Sequence, residues 1–467
     1  MSFMAQWTLE EIVEATGGRL YYGDPKTVAS GVSFDTRTIK ENNVFVPMVA
    51  DRNGHEFIQS AIDNGASVAF WSDPIETAPQ SIAIIEVTDT LVAFQQFAQA
   101  YLKKIKPKVV AITGSNGKTT TKDMVAAVAS STFKTHKTVG NFNNHIGLPL
   151  TILEMGEDTE VIVLEMGMSG RDEISLLSKI AKPDISVITM IGESHIEFLG
   201  SREGIADAKF EIIDGMQGGT LIYPGEEPLL SKKVIGPSVS KHIGTIKTFG
   251  KQEGNDLYPL IIEPSIRSTR FTTNRDDQLS CTLPIPGVYN VQNALAAILV
   301  GEELGIDYET AYHSLTHFEL TKNRLEWKKG WNDSVLLNDA YNASPSSMKA
   351  ALNYFQQIDV VGKKIVVLGD ILELGEFAKE MHVSLHEAIH PDAIDLLVLY
   401  GKDMTYLYEE MTKHMSTDHL FHFEGDKEPL IQFLKDSVQP NDTVLLKSSR
   451  STGLLEVVSE LSQSENE

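Results

Sequence analysis

The chain has a single cysteine, Cys281, in 467 residues. One thiol cannot close an intrachain disulfide, and its scarcity suits a reducing compartment. No window approaches the roughly 20 consecutive apolar residues that a helical membrane span requires. The start also lacks the basic region and apolar core of a secretory leader. Trp7 to Val13 instead carries acids within the apolar spacing of a helix, with Thr8 placed as its N-cap. A cytoplasmic protein is the expectation. Positive charge is scarce as well: 40 Lys and Arg stand against 64 Asp and Glu, a formal net charge of -24. That balance repels phosphate backbones at long range and argues against general nucleic-acid binding, while leaving local anion-binding pockets open. Repeats and low-complexity tracts are missing, and the acidic tail after Ser462 is expected to fray.

What is present suits large cores: 42% of the residues are hydrophobic and 22% charged, in a chain long enough for two or three domains. Residues 1–86 alternate short strand patterns, such as Val44-Phe45-Val46 and Ser67 to Trp71, with helices and Gly/Asp/Pro turns, which predicts a small α/β module. The helical spacing from Thr90 to Tyr101 runs into Lys103-Lys104-Ile105-Lys106-Pro107, a helix end and a boundary. Residues 87–320 then offer apolar strands at Val109 to Ile112, Val161 to Leu164 and Ile185 to Ile188 separated by helices, the pattern of a parallel, doubly wound sheet. Between about Gly219 and Pro286 the helical pattern fades, and antiparallel strands appended to that sheet are expected, before a helix from Val291 to Leu304. Residues 321–467 carry a third strand and helix series, with strands at Val335 to Leu337, Ile365 to Leu368, Leu396 to Leu399 and Val444 to Leu446. The fold class is therefore α/β in three units, with a Rossmann-like last one.

The most specific signal is Thr113-Gly114-Ser115-Asn116-Gly117-Lys118-Thr119-Thr120, set between a buried-looking strand and an Ala/Val-rich helix. In such a turn backbone N–H groups converge on phosphate oxygens and the helix N-terminus adds partial positive charge. Lys118 reaches the outer phosphates, and Thr119 can ligate magnesium. An ordinary strand-to-helix turn needs glycine but has no use for a lysine and two threonines behind it. Ile112 stands where a generic G-x-x-x-x-G-K-[ST] loop has its first glycine, so a generic kinase or GTPase is disfavoured. Glu165 ends an apolar strand at the edge where a parallel sheet presents ligands, which suits a hard oxygen ligand for magnesium, although most carboxylates at such a place are merely solvated. Lys209 lies in a helical stretch from Ile205 to Ile213, where the residues alone favour a solvated face. Asn290 and Asn293 precede and begin a helix, and either could serve only as a cap.

The form T-G-S-N-G-K-T resembles the Mur ligases. Further blocks follow in that family's order: Gly140 to Pro149, Leu164-Glu165-Met166-Gly167, Gly192-Glu193-Ser194-His195, Ala208-Lys209-Phe210-Glu211, Pro286 to Ala294, Asn323-Arg324-Leu325-Glu326 and Asp339 to Met348. The resemblance implies ATP and magnesium, with Thr119, Glu165, His195 and a carbamoylated Lys209 as metal ligands. It makes Lys118, His195 and Lys209 catalytic, Asn293 an adenine contact, Arg324 a phosphate or ribose contact and Asp339 a ribose partner. Tyr289 replaces a histidine of many relatives, and Lys447-Ser448-Ser449-Arg450-Ser451 resembles K-G-S-R-S without its glycine.

Within the family, Phe34-Asp35-Thr36-Arg37, Gly54 to Ile58, Asp339 to Met348 and Leu368 to Gly375 resemble the branch that adds D-alanyl-D-alanine to the UDP-N-acetylmuramoyl tripeptide in peptidoglycan precursor synthesis. Ser344 replaces an asparagine common in that branch. Asp35, Thr36 and Arg37 would then hold the uridine nucleotide, with an exposed ion pair as the ordinary alternative. Residues 1–86 become the UDP-substrate module, 87–320 the ATP-binding unit and 321–467 the ligase unit that closes over it, in a protein expected to act as a monomer. The reaction is amide formation through an acyl phosphate. A folylpolyglutamate-type ligase, which generally lacks a UDP-sugar module, and a nucleotide-gated binding protein without turnover are the alternatives.

Overall fold

The apolar runs read as strands do form strands, because a parallel sheet covered on both faces needs near-continuous hydrophobic residues. The computed structural model describes residues 6–236 and 239–463. The acidic tail, beyond Gln463, lies outside the described residues. Just before it, Ser462 bridges Gly330, and the N–H of Gln463 donates to the carbonyl of Lys329 at 3.1 Å.

The first sheet runs in the order Arg19–Tyr22, Ala83–Glu86, Ala66–Trp71, Asn43–Phe45, Val32–Ser33, antiparallel only at its first pair. Thr8 caps the helix Leu9–Thr16 as expected, in a reciprocal pair with Glu11. The helix Thr90–Ile105 joins this unit to the next: Phe97 and Tyr101 meet Trp7 edge-on at 5.0 and 5.7 Å.

The central sheet is parallel throughout, in the order Ile243–Phe249, Gly219–Pro224, Ile185–Ile188, Lys108–Thr113, Val161–Glu165, Thr135–Lys137. Alternation sorts its side chains. Val110, Ile112, Val163 and Val187 pack under the helices Lys118–Ser130 and Tyr289–Glu303, while Val109, Ala111, Ile162 and Leu164 join a second core with Leu148, Leu177 and Ile205. The expectation of antiparallel strands from Gly219 onward needs correction: Gly219–Pro224 and Ile243–Phe249 extend the parallel sheet, with a helix, Pro228–Lys233, between them. Only Pro259–Pro264, Thr269–Thr273 and Asp276–Leu283 form an antiparallel appendage.

The third sheet, in the order Glu326–Lys329, Val335–Asp339, Thr443–Lys447, Lys364–Gly369, Leu396–Tyr400, Leu420–Phe423, is parallel except at its first pair. Where K-G-S-R-S has its glycine, Ser448 is fully buried, and a Cβ on Gly369 would lie only 2.7 Å from its own. Gly369, on the neighbouring strand, makes the room.

Candidate active site

The strand Lys108–Thr113 has sequence neighbours leaving on both sides of the sheet, so its carboxyl end is the switch point where such sheets bind ligands. There the chain turns into the helix Lys118–Ser130. Gly114 has φ +150° and no space for a side chain against Thr189; Gly117 has φ +83° and Asn293 pressed against it. Both positions therefore require glycine. Thr113 is fully buried and its hydroxyl donates to the carbonyl of Met166 at 2.9 Å, so it and Gly114 shape the turn from below. Ser115 Oγ accepts the N–H of Gly192 at 2.8 Å. Lys118 folds back to donate to the carbonyl of Gly114 at 2.8 Å; burial depresses its pKa, partly opposed by Glu165.

Ser115, Asn116, Gly117, Lys118, Thr119 and Thr120 line a cavity of about 280 Å³ together with Asn293, Arg324 and Asp339. The structure thus brings most of the expected nucleotide residues to one place, from two units. Arg324 donates to Thr119 Oγ1 at 3.0 Å and lies 4.7 Å over the Tyr341 ring, while its buried Nε has no partner. Asp339 accepts from Lys447 Nζ and, at 3.3 Å, from the N–H of Leu325. Asn116 reaches across the cleft to Ser344 Oγ at 2.9 Å and Ser346 Oγ at 3.1 Å. Neither Asn290 nor Asn293 is a helix cap, which corrects that alternative. Both lie inside Tyr289–Glu303, where Asn293 Nδ2 donates to Asn290 Oδ1 at 3.1 Å and Asn293 Oδ1 accepts from Thr121 at 3.2 Å.

Glu165 is 2% exposed; Oε1 accepts from Asn143 Nδ2 at 2.9 Å and Oε2 is buried without a partner. A buried carboxylate oxygen left without a donor suits a cation as its partner. Among the described residues no three His, Cys, Asp or Glu side chains cluster closely enough to hold a metal ion. That fits magnesium, which takes one or two protein carboxylates and fills its shell with phosphate oxygens and water. Lys209 corrects the solvated-face expectation outright: it is 1% exposed, has no ion-pair partner among the described residues, and its pKa is driven well below the ordinary range by burial and then by the charge of Lys118.

His195 borders a second cavity, of about 140 Å³, between the central and third units. Its Nδ1 lies 2.5 Å from Glu373 Oε2, and that pairing holds the Glu373 carboxyl below its usual range. Both residues have left-handed backbones, φ +66° and +63°. Glu373 is the site residue that sequence reasoning passed over, although its block Leu368 to Gly375 had been singled out. Asp35, Thr36 and Arg37 are not brought to this cleft. They form a turn of the first unit in which Arg37 pairs with Asp35 at 2.6 Å, holding that carboxyl low, and Thr36 accepts from Asn64 at 3.2 Å.

A glycine-shaped loop at a switch point, completed by basic residues from another α/β unit, defines an enzyme that works on a nucleoside triphosphate and assembles its site between units. Residues 112–301 match the Mur ligase middle domain, and residues 323–450 the Mur ligase glutamate ligase domain. The chain belongs to the Mur ligase family. It is 43% identical over 466 residues, 99% of each chain, to the UDP-N-acetylmuramoyl-tripeptide–D-alanyl-D-alanine ligase of Bacillus subtilis (strain 168). Its structure is similar to MurF from Acinetobacter baumannii, with TM-score 0.85, 29% identity and coverage of 98% and 99% of the two chains. It is also similar to the MurF ligase of Thermotoga maritima in complex with ADP, with TM-score 0.78, 27% identity and coverage of 92% and 96%.

Proposed function

We propose that this chain joins D-alanyl-D-alanine to the terminal carboxylate of UDP-N-acetylmuramoyl tripeptide at the expense of ATP. The observation that carries the reading is the full-length relation to the Bacillus subtilis ligase, which includes the first unit. A folylpolyglutamate-type ligase generally has no such unit. In this reading residues 1–86 hold the UDP end, with Asp35, Thr36 and Arg37 at the uridine nucleotide; residues 87–320 hold ATP; residues 321–467 close the site.

A carboxylate cannot expel oxide in water, so it must first be activated. Lys118 exchanges the loop carbonyl for the outer phosphates, where with the loop N–H groups it stabilises charge as the tripeptide carboxylate attacks the γ-phosphorus. Arg324 and Asp339 hold the phosphate and ribose side from the third unit, and Asn293 the adenine. The resulting acyl phosphate is attacked by the dipeptide amine, and phosphate leaves. Bridges such as Asn116 to Ser344 keep water out while that intermediate exists. Thr119, Glu165 and His195 would hold magnesium and a carbamoylated Lys209 would serve a second ion, supplying charge that offsets the phosphates. For Lys209 that role requires carbon dioxide to add to the neutral amine, forming an N–C bond as one C=O bond opens to an oxyanion and the amine loses a proton; burial without an ion pair favours that neutral form.

Among the described residues no helix is long and apolar enough to cross a membrane, and we place the enzyme in the cytoplasm as a monomer, which light scattering checks. The function is tested by phosphate release against a panel of UDP-muramoyl peptides and amino acids or dipeptides. Turnover should require both the tripeptide and D-alanyl-D-alanine. Release with either alone, or selectivity for another pair, would overturn the reading.

A further inference from the structure

The third unit hangs from the central one by a short connector, and the way that connector is tied down has a functional consequence. Its last fully packed residue on the central side is Phe318, 6% exposed. Three residues on, Thr321 is held by Asp123, which lies on the phosphate-loop helix one turn beyond Thr119: Asp123 Oδ2 accepts the Thr321 N–H at 2.9 Å and its hydroxyl at 2.8 Å. The other oxygen, Oδ1, faces Lys137 Nζ at 2.7 Å and Lys122 Nζ at 3.3 Å, and the Asp123 side chain has no exposure at all. Burial opposes its charge, but the two lysines and Thr321 outweigh that and hold the carboxyl below its usual range. Beyond Lys322, which is exposed, the chain is tied to the third unit instead. Asn323 Oδ1 accepts from Asn338 Nδ2 at 2.9 Å, and the Asn323 N–H donates to Glu326 at 3.1 Å. Asn323 and Leu325, on either side of Arg324, have φ +66° and +45°, strained values for residues with side chains.

We propose that Asp123 is a positioning residue for the nucleotide site: by clamping Thr321 to the phosphate-loop helix it leaves Lys322 as the pivot between the units and sets Arg324 onto the loop at Thr119. Three residues span at most about 10 Å, and six about 20 Å. Releasing Thr321 moves the last firm anchor before Arg324 from three residues away to six. An effective concentration that falls as the −3/2 power of tether length then drops about threefold. Full release of Thr321 should therefore weaken nucleotide binding about threefold, and loss of its hydroxyl bond alone by less.

The inference rests on the ATP-site reading above, and the test separates the two. Asp123→Asn would strand Lys122 in the interior and could misfold, so Thr321→Val is the informative variant, because it keeps the N–H and the shape but loses the hydroxyl. Two readouts are taken: amide hydrogen exchange of the connector, residues 318–326, and the Kd for ADP by calorimetry. Thr321→Val, which keeps the N–H bond to Asp123 and so frees the connector only in part, should exchange faster in the connector alone and bind ADP more weakly by up to about threefold, with an unchanged KM for the UDP-peptide, and Thr321→Ser should restore both. Unchanged connector exchange would overturn the clamp. Faster exchange with an unchanged ADP Kd would overturn its positioning role. Failure of the wild-type chain to bind ADP would instead sink the nucleotide reading, while exchange still judged the clamp.

Discussion

Replacing Lys209 with methionine should make the protein more stable near neutral pH and inactive, and the pH dependence of the stability gain follows from the structure. Lys209 is 1% exposed, without an ion-pair partner among the described residues, and its folded pKa is lowered by burial and then by Lys118. An unfolded lysine titrates near pH 10.4. Between the lowered folded value and about 10.4 the unfolded chain holds the extra proton, so this group's contribution to stability rises with pH by about 1.4 kcal/mol per unit. Methionine has similar length and cannot titrate. Lys209→Met should therefore exceed wild type at the low end of that window, and two pH units within it should narrow the gap by about 2.7 kcal/mol. The assay is urea unfolding in steps from pH 7 to about 10.4, the upper limit set by the unfolded lysine, in carbon-dioxide-free buffer. Packing changes shift the whole curve, by less than about 1.5 kcal/mol for such a swap, but do not tilt it. Parallel curves would refute the argument, since Lys209 would then keep its proton as readily folded as unfolded. Arg should not restore turnover at this position, because a guanidinium cannot become an anionic ligand, whereas acetate should partly rescue Lys209→Ala.

Lys118→Ala should cut turnover at least about 100-fold with an unchanged melting temperature; near-normal activity in the folded variant would remove it from phosphoryl transfer. Changing Asp35 and Arg37 together to Ala should raise KM for the UDP-peptide far more than KM for ATP, because the pair belongs to a different unit; equal effects would place the uridine site elsewhere. Glu373→Gln should leave stability within about 1 kcal/mol, since the carboxylate is 44% exposed, yet lower turnover about tenfold through His195. A magnesium titration of kcat that matches wild type would count against that role.

The phosphate loop was legible because its glycines, lysine and threonines each answer a separate physical need, and the buried strands because continuous apolar runs leave few alternatives. Lys209 was not legible by itself. Its burial comes from neighbours on other elements, and only Ile205, Ala206 and Ala208, buried on several sides of the same short helix, hinted that this helix has little free face. Gly219–Pro224 and Ile243–Phe249 were read as antiparallel because a strand's own residues do not reveal which strand it will join. Asn290 looked like a cap because the start of its helix is set by the turn at Gly287, φ +97°, rather than by a capping side chain. Glu373 could not be found from spacing: it meets a histidine almost 180 positions earlier only when two units come together.

The most direct test of the central claim follows oxygen. With the tripeptide's terminal carboxylate labelled with ¹⁸O, the enzyme, D-alanyl-D-alanine and Mg·ATP should yield phosphate carrying one labelled oxygen per amide formed, because the attacking carboxylate oxygen leaves with phosphorus. Amide product accompanied by unlabelled phosphate would contradict activation through an acyl phosphate.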